Sequence, residues 1–276
     1  LDQNYYPPFT LIFIALVQLI FRSVFPSYEK FTHSINDIKY NDYLEFENLF
    51  QTLFLLKAPY LIFDLLICYL GWKLLLEEVE RLNFVKFWFC NPIIIYGTYM
   101  VGQFDIIPTF TVFLAFYFCV QKEKGLFASF ALATGCLFKI FPIIFLPIII
   151  LASGKNIRDY LVLLLSAILP IAVIYFIFYL FSGEAVLRLF SDLSYNTTIA
   201  SNLETLILRI FQAVVYGLVC VNLFYFRKKT LDRKNFGMCF LVIYLAVYWG
   251  FILNWTHYLI WFTPFLGIYA ISSNKR

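Results

Sequence analysis

Three ionisable side chains stand where apolar sequence would exclude them. Asp105 lies inside NPIIIYGTYMVGQFDIIPTFTVFLAFYF (91–118), Lys139 inside CLFKIFPIIFLP (136–147) and His257 inside NWTHYLIWFTPF (254–265). A carboxylate at membrane depth costs at least about 3 kcal/mol unless it has water, a partner or a function. Gly102 permits a bend before Asp105, and Pro108 follows in the first turn of a helix. Asp105 is thus expected at a helix N-terminus, where the macrodipole stabilises an anion. It either caps that helix or caps it and serves a site. Lys139 has no such local role. It either snorkels to an interface or binds a phosphate as a compact point charge. His257 has Trp255, Tyr258 and Trp261 around it. That grouping fits an interfacial aromatic belt, or a titratable donor beside a platform for a sugar or phosphate. Lys57 and Asp64, in LKAPYLIFDLLICYLGW, share a helix face two turns apart, too far for a direct pair. Asp64 is expected to take its partner from another helix.

The elements that must position these residues are set by composition. The chain has 276 residues, 62% apolar and 14% charged. Soluble domains carry about 25% charged residues. This is the composition of a polytopic membrane protein whose solvent is the bilayer. The net charge of +4 is spread over loops, and no nucleic-acid partner is expected. Six cysteines lack CxxC spacing and are expected as small buried apolar residues rather than soft metal ligands.

Apolar stretches fall at 9–25, 53–73, 87–101, 106–120, 125–138, 141–153, 159–181, 204–226, 237–253 and 258–272. Several fall short of the roughly 20 residues a straight crossing needs. Lys73, Arg81 and Lys86, then Lys122 and Lys124, Lys155 and Arg158, and finally RKKTLDRK (227–234) fall on one side if each stretch from 53 onward crosses once. The positive-inside rule makes that side cytoplasmic and gives about nine transmembrane helices. The stretch 9–25 would invert this pattern, so an outer interfacial or re-entrant helix is expected there. The turns GQFD (102–105) and FKIFP (138–142), the loop 182–204 and NWTHY (254–258) then share the outer face. Polar groups converging at one membrane face imply a shared, outward-facing aqueous cavity. The fold expected is all-α, a single transmembrane domain over 1–276. The opening LDQNYYPPFT lacks Met, and the chain is read as missing its N-terminal part.

The ordered set YYPPFT, KAPYLIFDLL, NPIIIYGTYMVGQFDIIP, KGLFASFALATGCLFKIFPIIFLP and NWTHYLIWFTPF resembles the GT-C superfamily of membrane glycosyltransferases. The closest likeness is to bacterial and archaeal polyprenyl-phosphate-mannose-dependent mannosyltransferases. The resemblance implies transfer of a hexose, mannose first, from a polyprenyl-phosphate-sugar donor to a lipid or glycan acceptor at the outer face of a cytoplasmic membrane. It places the general base in a first outer loop upstream of Leu1. It implies donor-phosphate binding by Lys139 and His257, where the leaving phosphate gathers negative charge. Gln103 and Asp105 are implied to hold sugar hydroxyls, orient the base or coordinate a divalent cation, the one cofactor candidate. Tyr195, Asn196 and Asn202 of the loop, and Tyr258, are implied to touch sugar or acceptor.

A transporter or flippase of a lipid-linked or small polar substrate is the competing class. It explains broken helices and polar groups at depth equally well. Transporters commonly show internal repeats, and none is visible in this chain.

Overall fold

Helices start and stop where the sequence supplies caps and breakers. The computed structural model describes residues 7–21, 49–102, 104–122, 124–198, 203–230, 232–250 and 256–272. Among these the chain is helical almost throughout, with no strand. The first elements are α1 (Pro8–Phe21), α2 (Leu49–Lys57), α3 (Tyr60–Leu74) and α4 (Glu78–Phe89). Then come the short α5 (Pro92–Ile94) and a π-helical turn, Ile95–Met100. Next are α6 (Ile106–Lys122), α7 (Gly125–Phe138), a 3-10 turn at Phe141–Phe145, α8 (Leu146–Ser153) and α9 (Ile157–Thr198). The chain closes with α10 (Leu203–Thr230), α11 (Arg233–Gly250), a 3-10 turn at Thr256–Phe262 and α12 (Thr263–Ile271).

Among the described residues three helices are long and apolar enough to cross a membrane: Leu53–Leu74, Ile157–Phe181 and Leu206–Phe226. Their outward faces carry exposed Leu61, Ile62, Leu65, Leu165, Leu169, Phe176, Leu206, Ile210, Val214 and Leu218. Apolar surface on this scale suits hydrocarbon rather than water.

Three expected boundaries are corrected. The stretch 87–101 is not one helix. α4 ends at Phe89, and Asn91 restarts the chain by accepting a 2.9 Å hydrogen bond from the Ile93 N–H, with Pro92 at the first helical position. The expected loop 182–204 is instead helical to Thr198, so α9 runs for 42 residues, about 63 Å. The expected connection between Lys73 and Lys86 contains α4, which a Glu77/Glu80 capping box starts. α1 has 14 residues, about 21 Å, and packs against α7, α9 and α2. Cys68, Cys119 and Cys136 are buried, whereas Cys90 is exposed at the end of α4.

The core is aromatic. Phe84, Phe113, Phe116, Phe236, Phe240 and Phe265 are wholly buried and stack or meet edge-on across α4, α6, α11 and α12. α6 and α7 form the tightest hairpin. Gly135 of α7 faces the Thr111 side chain so closely that a Cβ there would clash, and Pro142 Cγ would stand 3.1 Å away. Small residues at such a crossing let two backbones approach without a hydrophobic drive between them.

The two ends of α6 differ. At its C-terminal end Gln121 donates to the Lys73 carbonyl at 3.0 Å, and Arg233 donates to the Leu74 carbonyl. Its N-terminal end carries Asp105.

Candidate functional site

The turn before α6 is held from two sides. Gly102 has φ +77, a left-handed conformation that glycine adopts without strain. Lys57, at the end of α2, donates from Nζ to the Tyr99 carbonyl at 2.7 Å and to the Met100 carbonyl at 3.3 Å. These carbonyls end the π-helical turn, so Lys57 is its cationic cap. Asp64 of α3 is buried and accepts hydrogen bonds from the Trp88 indole N–H, at 2.9 Å, and from the Tyr99 hydroxyl. The expected partner from another helix is thus found twice, in α4 and in the π-helical turn. Lys57 and Asp64 do not meet each other. Both grip Tyr99, one by its backbone and one by its side chain.

This scaffold presents Asp105. Its main-chain carbonyl accepts from the Thr109 N–H at 3.1 Å and the Thr109 hydroxyl at 2.7 Å, fixing the first turn of α6. Its carboxylate is wholly buried and turns across to α7. There Lys139 ends the helix with an extended backbone, its N–H donating to the Gly135 carbonyl at 2.9 Å. Lys139 Nζ donates to Asp105 Oδ1 at 2.6 Å. Aromatic rings enclose the ammonium. Its distance to the ring centre is 4.4 Å for Tyr258, 5.2 Å for Trp261 and 5.7 Å for Phe104. Each ring face attracts a cation. Trp261 is itself stacked on Phe141 at 3.8 Å and tilted against Tyr258 at 4.5 Å. The Lys139 side chain keeps 24% of its surface exposed, so it is half-buried rather than sealed off.

Of the site residues expected from sequence, Asp105, Lys139 and Tyr258 come together. The backbone of His257 lies in the same 3-10 turn as Tyr258 and Trp261; its side chain lies outside the described residues. Gln103 and Asn202 also lie outside them. Tyr195 and Asn196 are helical residues near the end of α9, with side chains outside the described set.

The donor set does not fit a divalent cation. Among the described residues no group of three or more His, Cys, Asp or Glu side chains converges. Asp105 is paired at 2.6 Å with an ammonium, which repels a cation. The set suits oxygen acceptors.

Sequence reasoning missed Tyr99, Trp88 and Tyr244. Tyr244 is buried against Phe141, Phe145 and Trp261. It is one of 20 tyrosines in a chain rich in aromatics, and nothing in its local sequence sets it apart. Trp88 and Tyr99 were detectable only as donors that a buried Asp64 requires.

No protein-family model, no curated protein and no solved structure matches this chain.

Proposed function

We propose that this chain is a membrane glycosyltransferase that moves a hexose, mannose first, from a polyprenyl-phosphate donor to a lipid or glycan acceptor. One observation carries the reading: a lysine ammonium fixed by a carboxylate and three rings, on a side chain that stays partly exposed. Such a group binds a lipid phosphate as a point charge on a defined spot. In the reaction the bond between the anomeric carbon and the phosphate oxygen breaks, and the bonding pair stays on the phosphate. Lys139 stabilises that developing charge. The acceptor hydroxyl attacks the anomeric carbon and gives its proton to a general base. Asp105 positions Lys139. His257 is a second phosphate donor in this reading, and Gln103, Tyr195, Asn196 and Asn202 face the sugar or acceptor. The topology proposed with it has about nine crossings, short helices around an outward-facing cavity, and the basic ends of α3 and α11 in the cytoplasm.

The motif order supports the reading. The helix breaks at 95–100 and 256–262 support a transporter equally, because transporters build their sites at broken helices. Binding of polyprenyl phosphate against the uncharged polyprenol tests the phosphate site. The reading expects wild-type protein to prefer the phosphate by about tenfold or more, and Lys139→Gln to lose that preference. Equal binding of phosphate and alcohol by the wild type would overturn it.

A further inference from the structure

Two more hydrogen-bond donors are buried among the rings around Lys139. The Tyr244 hydroxyl and the Trp261 indole N–H are buried and have no hydrogen-bond partner among the described residues. Tyr244 is 2% exposed and Trp261 7%. Both belong to the Lys139 site. The Trp261 ring lies 5.2 Å from Lys139 Nζ, and the Tyr244 ring lies 6.3 Å from that of Trp261.

A buried donor without an acceptor destabilises a fold, and native proteins keep few of them. Phenylalanine at 244 would make the same ring contacts with Phe141, Phe145 and Phe265 without that cost. Among the described residues the hydroxyl has no acceptor, so a bound ligand is where one is to be sought.

The chemistry of the set selects the ligand. An apolar group would leave both donors bare. A second anion pushed to this depth would be repelled by Asp105. A sugar hydroxyl suits all three groups, because it accepts from Tyr244 or Trp261 and donates to a carboxylate oxygen. We infer that the Tyr244 hydroxyl and the Trp261 indole N–H bind hydroxyl oxygens of the transferred sugar, on the buried side of the phosphate held by Lys139. This inference rests on the donor-lipid reading above. It makes Tyr244 and Trp261 specificity residues, because a site built to hydrogen-bond a hydroxyl rejects a ligand that lacks one.

The test uses the full-length protein in lipid nanodiscs. Dissociation constants are measured for polyprenyl-phosphate-mannose, polyprenyl-phosphate-glucose and bare polyprenyl phosphate. The proteins are wild type, Tyr244→Phe, Trp261→Phe and Lys139→Gln. The expectation is that wild type binds one of the sugar lipids about tenfold more tightly than the bare phosphate. Tyr244→Phe loses that preference while binding the bare phosphate as wild type does, Trp261→Phe loses the preference whatever its effect on the bare phosphate, and Lys139→Gln weakens on all three lipids. The Tm of ligand-free Tyr244→Phe does not fall below wild type; a merely structural hydroxyl would lower Tm and weaken all three lipids together, which would overturn the inference. Tyr244→Phe with the wild-type preference intact overturns the Tyr244 assignment, and Trp261→Phe with it intact overturns that of Trp261. Wild type binding all three lipids equally defeats the sugar site but leaves the phosphate site standing. Wild type binding none of them defeats the donor-lipid reading and this inference with it.

Discussion

Lys139 and Asp105 are separated by 34 residues in sequence and joined by a 2.6 Å charge-assisted hydrogen bond in the fold. One group ends α7 and the other begins α6, so the bond closes one end of the closely packed α6–α7 hairpin. Removing one partner leaves the other charge buried and uncompensated, which costs about 3 kcal/mol. Lys139→Met is therefore expected to lower unfolding stability in mixed micelles by about that amount. Asp105→Asn/Lys139→Met is expected to be less unstable than the sum of the single changes, with a coupling of about 1.5–3 kcal/mol for a bond to charged groups. Additive single changes would show that the pair does not couple.

Gly102 holds a conformation that side chains resist, and a Cβ there would also stand 2.7 Å from Lys57 Cε. Gly102→Ala is expected to cost about 1–2 kcal/mol from the left-handed backbone alone. It also displaces the Lys57 cap. Gly102→Asn is expected to be milder than Gly102→Val, because Asn tolerates this region and a β-branched residue does not. Comparing Tm values of the three variants checks the order.

Asp64 is satisfied by two donors from elsewhere in the chain. Tyr99→Phe removes one and leaves a buried carboxylate oxygen poorer by a bond, at a cost of about 1–3 kcal/mol. Trp88→Phe removes the other. Because Tyr99 also presents its carbonyl to Lys57, Tyr99→Phe is expected to loosen the turn that carries Asp105. Hydrogen exchange at the amides of 99–107 should then rise, while the amides of α9 stay unchanged.

Gly135→Val places a branched side chain against Thr111 and Pro142. Overpacking of this kind costs about 1–3 kcal/mol. The loss is expected to fall on the Lys139–Asp105 geometry, because Gly135 lies one helical turn before Lys139 and its carbonyl accepts the Lys139 N–H. Cysteine cross-linking between α6 and α7 reads the displaced hairpin.

The sequence made some of this site legible and hid the rest for physical reasons. Asp105, Lys139 and Asp64 were conspicuous because a charge in an apolar run needs a cause. Gly102 and Pro108 located the turn, since each restricts the backbone in a known way. The pairing of Lys139 with Asp105 was not legible, because it depends on how two helices cross. Asn91-Pro92 carried a helix-start signal, but apolar residues on both sides made 87–101 look continuous. The polar stretch 182–198 looked like a loop because hydrophobicity falls there; helix formation requires only the absence of breakers, and that stretch has a single glycine and no proline. Tyr244 was invisible among so many aromatics, since an unsatisfied hydroxyl is a property of the packed state.

The most direct measurement is sugar transfer itself. Membranes carrying the full-length protein are supplied with radiolabelled polyprenyl-phosphate-mannose and a panel of related donors, with lipid and glycan acceptors present. Lys139→Ala and Lys139→Arg run alongside, with folding checked by detergent-extracted size profile. The account predicts labelled acceptor from the wild type, loss of at least about a hundredfold in Lys139→Ala, at about 3 kcal/mol for one transition-state donor, and partial recovery in Lys139→Arg. Folded wild-type protein that transfers no label from any donor, or transfer that survives Lys139→Ala undiminished, would contradict it.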